Sequence, residues 1–391
     1  HCGRLPLEIK AVPEGCLVPE NNVMMTVENT DPKCAWLTNA VESLLTHVWY
    51  PSTVATLSHN VKGMIRRYLR KTGSDAGLNF MLHDFGYRGV SSDESAAIGG
   101  AAHLINFMGT DTLPAMLLLQ DHYKVWDSDA YSDTFKDIAY SVPATEHSIM
   151  TSCGQEGEAQ LVSQLIKDHP NGILSVVADS YDIYHFVSVI MGVYYKDRIL
   201  ARDGVFVVRP DSVTPTHTTP ETQVLWIVNT LFSIFGGTTN DKGYTVINPK
   251  VRVLWGDGID PEGIEKILAL LETHKFAAEN MACFGMGGGL LQKVNRDTQR
   301  FAFKCSYQER DGVGYDIWKQ PLDKSKASKK GKMKLVLQEG SHANVLVTVP
   351  IEDPRQDFMR TVFLNGELGA RYGLTQVRTN ANEIYPPYEN I

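Results

Sequence analysis

Short apolar runs recur along the middle of the chain, each followed by small, polar or charged residues and then by a stretch with helical spacing. The clearest are ILSVVADSYD (173–182), VFVVRPDS (205–212), VRVLWGDGID (251–260) and ACFGMGGGLL (282–291), with INFMGTDT (105–112) as a weaker member and AFKCSY (302–307) as an expected closing strand. Continuous apolar runs without alternation are typical of strands that helices cover on both faces. The pattern predicts an α/β fold of repeated strand–loop–helix units.

One of these units predicts its own helix start. Asp260 can cap the first turn and Pro261 suits the first helical position. Apolar residues then follow at helical spacing: Ile264, Ile267, Leu268 and Leu271. The segment after the third apolar run is therefore expected to be an amphipathic helix.

Such units close either into an open doubly wound sheet or into a barrel, and in both folds ligands bind at the carboxyl ends of the strands. Charged residues and glycines fall just past the apolar runs: Asp111, Asp179, Arg209, Asp211, Asp257 and residues 287–289. This regular placement favours a barrel-like enzyme with one shared site.

The two ends of the chain have a different pattern. The first 50 residues contain short strand-like segments joined by Pro, Gly and Asn turns, and MKLVLQEG and NVLVTVP near the C terminus alternate like strands. We expect residues 1–79 to form part of an α+β domain and a helical connection, residues 80–307 the barrel-like catalytic domain, and residues 308–391 the remainder of the α+β domain. The lysine-rich residues 323–334 indicate a solvated loop or, alternatively, a contact to nucleotide phosphate.

Composition excludes several classes of protein. The 391 residues carry 37 Lys and Arg against 45 Asp and Glu, a net charge of −8, which argues against a general surface for nucleic acid or anionic membranes. No uninterrupted apolar stretch of about 18 residues and no signal-peptide pattern is evident, so a cytoplasmic location is expected. The six cysteines are far apart without a C-x-x-C pair, which predicts free, mostly buried thiols.

Several motifs are candidates for chemistry. The glycines of FGMGGGLL precede an expected helix and suit either a phosphate or a plain tight turn, and Asp257 in WGDG suits ligand hydroxyls or a turn. Arg296 and Lys304 could neutralise phosphate, although either is as readily a surface charge. Phe85 could stack on a flat ring or pack in the core.

His147 follows Glu146 in SVPATEHSIM. The imidazole suits phosphorylation or acid–base chemistry, and the glutamate could orient it. A structural histidine beside a solvated glutamate is the alternative.

Many of these motifs occur together in one known family. EIKAVPEG, TVENTDP, WYPSTVAT, LHDFGYRGVSS, NFMGTDT, YSVPATEHS, DSYDIY, RPDS, GDGID, GGGLLQK and FKCSY resemble the nicotinamide phosphoribosyltransferases, a family of type II phosphoribosyltransferases. The resemblance spans nearly the whole chain and implies an irregular α/β barrel beside an α+β domain, working as a homodimer with shared sites. The implied reaction joins nicotinamide to 5-phosphoribosyl 1-pyrophosphate with Mg²⁺, giving nicotinamide mononucleotide and pyrophosphate, and ATP drives it through a phosphohistidine.

The resemblance also implies site residues. Its catalytic set is His147, Asp179, Arg209 and Asp211. Its substrate-binding set is Phe85, Arg88, Asp111, Ser141, Ser175, Gly256, Asp257, Gly287, Gly288, Arg296 and Lys304. Mg²⁺ would be held mainly through diphosphate and water, with Asp211 as a candidate ligand.

Individual roles follow from the same resemblance. Phe85 would stack on nicotinamide and Asp111 would accept from its amide, while Arg209 would contact base and pyrophosphate. His147 would be the phosphorylated histidine. Asp179 would hold ribose or diphosphate.

The remaining implied roles concern phosphate and ribose. Arg88 would meet phosphate, and Asp211 would share the role of Asp179. Gly256, Asp257, Gly287 and Gly288 would cradle the ribose and the 5-phosphate. Arg296 and Lys304 would reach the site of the neighbouring subunit.

The chain departs from the family pattern at four positions. Val213 and Thr214 follow RPDS in place of Gly and Asn, Met286 stands in place of a serine, and Ala302 also replaces a serine. Because valine disfavours a positive φ, we expect a different loop shape after Asp211. An N-terminal segment with the family's partner-stacking tyrosine is expected to precede the first residue.

Two other functions remain open at this point. A nicotinate phosphoribosyltransferase shares the fold and the sugar donor, but an ionised Asp111 would repel a carboxylate base. The second alternative is a catalytically silent binding protein on the same scaffold.

Overall fold

The computed structural model describes residues 1–123, 138–322, 327–339 and 345–383. Residues cluster into two compact units. One comprises His1–Tyr50, His122–Val125 and Asn295–Ile391, and the other Pro51–Asp121 and Trp126–Val294. Residues 51–79 thus belong to the unit that holds the parallel sheet, whereas the sequence-based boundary was set at residue 80.

The larger unit is built around a six-stranded parallel sheet. Numbered along the whole chain, its strands are β3 (Leu82–Asp84), β4 (Gly109–Thr110), β5 (Asn171–Val177), β6 (Asp203–Arg209), β9 (Val251–Trp255) and β10 (Met281–Met286). Their order in the sheet is β4-β3-β10-β9-β6-β5, with every pairing parallel. All six carboxyl ends therefore meet at one edge. The predicted α/β fold is confirmed.

Residues 140–144 link the two outer strands of this sheet. Tyr140 forms a parallel bridge with Gly109 of β4, and Ala144 forms one with Ser175 of β5. The sheet therefore curls into an irregular barrel. The prediction of a closing strand at residues 302–307 is wrong. Residues 301–306 have no regular structure, and the strand that begins at Tyr307 pairs with residues 313–316 and not with the parallel sheet.

One long helix precedes the first strand of this unit, and the other helices come after its strands, as the sequence predicts. The helices are α2 (Trp49–Thr72), α3 (Asp93–His103), α4 (Pro114–Tyr123), α5 (His147–Met150), α6 (Gly154–Asp168), α7 (Ile183–His185), α8 (Lys196–Ala201), α9 (Pro220–Phe235), α10 (Pro261–Thr273) and α11 (Gly288–Leu291). A π-helical segment, Phe186–Tyr194, continues α7, and a hairpin of β7 (Gly237–Thr239) and β8 (Thr245–Ile247) follows α9.

Helix α10 shows how the local sequence fixes an element. Asp260 caps it by accepting from the Gly263 N–H at 2.9 Å, with proline in the first turn. The buried face consists of Ile264, Ile267, Leu268 and Leu271. Each of these predictions is confirmed.

The core of the unit lies between the sheet and its helices. Large side chains that are almost wholly buried include Trp255, Phe107, Phe186, Phe206 and Phe284. Burying side chains of this size stabilises a fold by about 1.5–3 kcal/mol each. This packing makes the strands a rigid base for the loops at their carboxyl ends.

The smaller unit is formed by both ends of the chain. Its four-stranded antiparallel sheet has the order β16-β15-β1-β2, built from β1 (Leu7–Ala11), β2 (Met25–Asn29), β15 (Arg360–Leu364) and β16 (Glu367–Leu368). Two hairpins, β11 (Tyr307–Arg310) with β12 (Val313–Asp316) and β13 (Met333–Gln338) with β14 (Val345–Pro350), and helices α1 (Leu37–Thr46) and α12 (Leu374–Glu383) complete it. The expected packing of the C-terminal part with the first segment is confirmed by the pairing of β15 with β1.

Three sequence expectations can be compared directly. The cysteines are free, but the expected burial is wrong, since Cys2, Cys153 and Cys305 are exposed and the other three are partly exposed. Within the described residues, no helix is both long and apolar enough to span a membrane. The first residues of the lysine-rich stretch, 323–326, lie outside the described part of the chain.

Candidate active site

The carboxyl edge of the parallel sheet gathers the charged residues predicted from the sequence. Phe85 follows β3, Asp111 follows β4, Asp179 lies just beyond β5, and Arg209 ends β6. Backbone hydrogen bonds hold these strand ends together: the Phe85 N–H donates to the Met286 carbonyl at 3.1 Å. This edge is the candidate active site.

The Phe85 ring lies on bare backbone. A Cβ added to Gly285 would stand 2.0 Å from the ring atom Cε2, and one added to Gly256 would stand 3.1 Å from the same atom. The Arg209 guanidinium lies 5.0 Å from the ring centroid, within cation–π range. Glycine at position 285 is therefore required by the position of the aromatic ring.

Asp111 lies at the neighbouring strand end in a set of polar contacts. Its Oδ1 is 3.0 Å from His83 Nε2 and accepts from the Ser141 hydroxyl at 2.5 Å. Although burial opposes ionisation, His83, Ser141 and Arg209 together lower the pKa of Asp111. The side chain of Asp111 is therefore ionised at neutral pH. The His83 ring also lies 5.1 Å from the Phe85 ring, which connects the two groups.

Arg209 is a nearly buried cation, 7% exposed. Its Nη1 donates to Glu146 Oε1 at 3.0 Å, and its Nη2 lies 3.7 Å from Asp211 Oδ1. The Nε is buried and has no hydrogen-bond partner among the described residues. An unsatisfied buried donor costs about 1–3 kcal/mol, so this guanidinium is suited to an incoming acceptor.

His147 lies between two carboxylates. Nε2 is 3.3 Å from Asp179 Oδ1 and Nδ1 is 3.8 Å from Asp211 Oδ2, while 43% of the side chain is exposed. A carboxylate that accepts from one ring nitrogen fixes the tautomer and leaves the other nitrogen with its lone pair. The imidazole is therefore oriented, and its side chain is partly exposed.

The loops after β5 and β6 are joined through Asp179. Its Oδ2 accepts from the Asp211 N–H at 3.0 Å and from the Ser212 hydroxyl. Partial burial, together with the Asp211 and Asp179 carboxylates, raises the pKa of Asp257 at the end of β9. Acidic groups from three strand ends therefore share one region of negative potential.

The glycine loop follows β10. The sequence predicted a helix after the glycines, but helix α11 begins among them, at Gly288, and is only four residues long. A Cβ added to Gly287 would lie 3.0 Å from the Phe85 carbonyl oxygen, and one added to Gly288 would lie 2.9 Å from Gln292 Oε1. Glycine is therefore favoured at both positions by close contacts with other residues of the protein.

Comparison with known proteins adds to this geometry. Residues 80–367 match the model of the nicotinate phosphoribosyltransferase (NAPRTase) family. The chain belongs to this family. It is 43% identical over 389 residues to the nicotinamide phosphoribosyltransferase of Xanthomonas campestris, covering 97% of this chain and 80% of that protein. It is 34% identical over 394 residues to the nicotinamide phosphoribosyltransferase of Acinetobacter baylyi, covering 96% of this chain and 76% of that protein.

A solved structure matches the fold. The nicotinate-nucleotide pyrophosphorylase of Pyrococcus furiosus superposes with a TM-score of 0.59 at 14% identity, covering 99% of this chain and 82% of the other. At this identity the likeness concerns the fold alone. It agrees with the type II phosphoribosyltransferase architecture that the family resemblance implies.

Four further residues were expected at the site of this family member. Ser175 lies inside β5, 2% exposed, with a hydroxyl that has no partner among the described residues. Arg88 is exposed in a short turn, Tyr87–Gly89. Arg296 and Lys304 belong to the other unit and are exposed. Their contacts with substrate or a neighbouring subunit stay predictions.

The positions that depart from the family pattern fit the loop geometry. Val213 is exposed and is absent from the described non-glycine residues that have a positive φ. Met286 is fully buried at the end of β10. The loop after Asp211 thus follows a path that valine can adopt.

Two polar residues of the site, His83 and Ser212, were not predicted from the sequence, and Glu146 pairs with Arg209 where the sequence offered it as a residue that orients His147 or is solvated. His83 contacts Asp111, and Ser212 donates to Asp179. Ser212 directly adjoins a residue that was predicted. Its position beside a predicted residue was the available signal, whereas His83 could be found only from the neighbouring strand.

Proposed function

We propose that this protein transfers the 5-phosphoribosyl group from 5-phosphoribosyl 1-pyrophosphate to nicotinamide, giving nicotinamide mononucleotide and pyrophosphate in NAD salvage. Two relatives at 43% and 34% identity carry the name nicotinamide phosphoribosyltransferase. The observation that carries the choice of base is the ionised Asp111 beside Phe85. An aspartate attracts the N–H of an amide and repels the carboxylate of nicotinate.

The base is bound by stacking and one charged contact. The pyridine ring packs against Phe85, whose position on Gly285 leaves it little freedom to move. Asp111 accepts from the carboxamide. Because the pyridine nitrogen attacks with its own lone pair and carries no proton, no protein base is required, and orientation is the main task of these residues.

The sugar donor takes the other strand ends. Breaking the bond between C1 and pyrophosphate develops positive charge on the ribose ring and negative charge on the leaving group. Asp179 and Asp211 face the ring, and the guanidinium of Arg209 faces the pyrophosphate. The backbone of Gly287 and Gly288, with Gly256 and Asp257, receives the 5-phosphate and the ribose hydroxyls.

The acidic cluster suits Mg²⁺, a hard cation that prefers oxygen ligands and usually retains several waters. Partial burial and then the carboxylates of Asp211 and Asp179 raise the pKa of Asp257. When bound with the diphosphate, Mg²⁺ would neutralise charge on the leaving group. Asp211 is the residue we propose as its direct or water-bridged ligand.

We also propose that ATP phosphorylates His147. Asp179 holds Nε2, which leaves Nδ1 with the lone pair that a phosphoryl acceptor requires; Nδ1 lies 3.8 Å from Asp211 Oδ2, and the side chain is partly exposed. Incubation with γ-labelled ATP should give an acid-labile phosphate that is absent in His147→Ala. An unmodified protein that acquires no label would contradict the coupling and leave the transferase proposal intact.

Two further expectations belong to this proposal. A homodimer with shared sites, in which Arg296 and Lys304 reach the neighbouring subunit, is supported by their exposure. A cytoplasmic location agrees with a role in NAD salvage. Both remain predictions.

The transferase proposal has a direct test. The purified protein is incubated with Mg²⁺, the sugar donor and either nicotinamide or nicotinate, and the products are identified by mass spectrometry. Nicotinamide mononucleotide should form far faster than nicotinate mononucleotide. Equal rates would favour the nicotinate alternative, and no product with either base would favour a silent binding protein.

A further inference from the structure

The loop between β6 and α9 carries Asp211 and Ser212 but contains no regular secondary structure up to the start of α9 at Pro220. It folds back on itself between Thr214 and His217. The Thr214 N–H donates to the His217 carbonyl at 3.1 Å, and the His217 N–H donates to Thr214 Oγ1 at 3.0 Å. Thr214 is one of the positions that depart from the family pattern, and it is the centre of this turn.

Tyr184 of α7 holds this turn from outside. Its hydroxyl lies 2.6 Å from Thr214 Oγ1 and 2.8 Å from His217 Nδ1. The Tyr184 ring packs edge-on against Trp226 of α9, with centroids 4.6 Å apart. The tyrosine is thus fixed by packing and presents its hydroxyl to the loop.

The direction of these hydrogen bonds follows from counting protons. Thr214 Oγ1 donates its one proton to Gln223 Oε1 at 3.0 Å, so its oxygen must accept from Tyr184. The Tyr184 oxygen then accepts from the Nδ1–H of His217. Gln223 is fully buried, which anchors the chain of hydrogen bonds in α9.

The same tyrosine stands close to the other site loop. Asp182 caps α7 by accepting from the Tyr184 N–H at 2.8 Å. Three residues earlier, Asp179 accepts from the Asp211 N–H. The loops after β5 and β6 are therefore tied twice, through Asp179 within the site and through Tyr184 behind it.

We propose that Tyr184 and Thr214 are positioning residues, which hold the loop of residues 211–219 so that Asp211 faces the ribose during phosphoribosyl transfer. Neither residue needs to touch substrate. The proposal rests on the transferase function above. Thr214, which departs from the family pattern, would thus hold a loop in which Val213 replaces the family's glycine.

Tyr184→Phe is the decisive variant, because it removes the hydroxyl and keeps the ring against Trp226. The loss of two hydrogen bonds should lower kcat about tenfold, with KM for nicotinamide within about twofold because the base binds at β3 and β4. Thr214→Val should lower kcat by the same factor. Thr214→Ser keeps the hydroxyl and should have the kcat of the unsubstituted protein. Tyr194→Phe is the matched control, since Tyr194 is an exposed tyrosine at the end of the following helical segment.

Hydrogen exchange of the backbone supplies a readout independent of turnover. Amides of residues 211–219 should exchange about tenfold faster in Tyr184→Phe and Thr214→Val. Unchanged exchange, or faster exchange with unchanged kcat, would overturn the positioning role. If the unsubstituted protein makes no product, the transferase proposal fails, and unchanged exchange would separately show that Tyr184 does not hold the loop.

Discussion

Replacing Asp111 with asparagine should reverse the preference for the base. The substitution keeps the size of the side chain and removes a charge that His83, Ser141 and Arg209 stabilise. A hydrogen bond to a charged group contributes about 1.5–3 kcal/mol. Loss of that contact to the carboxamide should therefore lower kcat/KM for nicotinamide about 10- to 150-fold.

The same substitution removes a repulsion, so kcat/KM for nicotinate should rise. The assay measures initial rates of both mononucleotides across base concentrations at fixed sugar donor. Asp168→Asn is the matched control, because Asp168 is an exposed carboxylate that ends α6 just before β5, at the opposite edge of the sheet. A ratio of the two kcat/KM values that equals that of the unsubstituted protein would refute the assignment of base choice to Asp111.

Two further predictions concern stability and ring placement. Burial and the charge of Asp182 raise the pKa of Glu158 to about 7. Between the usual pKa of a glutamate and about 7, the folded state retains a proton that the unfolded state releases. The free energy of unfolding therefore falls as pH rises through that window. Glu158→Gln should therefore be more stable at pH 8 by up to about 3 kcal/mol and similar near pH 4.5, and parallel urea-midpoint curves against pH would contradict this reasoning. Gly285→Ala would place a Cβ 2.0 Å from the Phe85 ring and should raise KM for nicotinamide about tenfold. Gly63→Ala is the control, because nothing lies within 4 Å of its added Cβ. Equal KM values in the two variants would contradict the role of the ring.

The strands and their polar ends could be predicted because the signals are local. The apolar runs around Val176, Val207 and Val253 are buried strands, and the cap at Asp260 is contained in a few residues. Parallel strands end at one edge, so the placement of Asp179 and Arg209 followed from the pattern.

The remaining features depend on residues far apart in the chain. Residues 140–144 close the barrel through two backbone bridges. No apolar run in the sequence predicts this closure. His83 became part of the site only because β3 pairs with β4 in parallel register. Local periodicity carries no information on such pairings. The Tyr184–Thr214 contact joins residues 30 positions apart for the same reason.

We propose that the carboxyl edge of the barrel binds nicotinamide and the sugar donor together. An experimental structure with nicotinamide mononucleotide tests it most directly. We expect the pyridine ring on Phe85, the carboxamide at Asp111, and the 5-phosphate at Gly287 and Gly288. A nucleotide bound away from these strand ends, or one whose carboxamide faces away from Asp111, would contradict it.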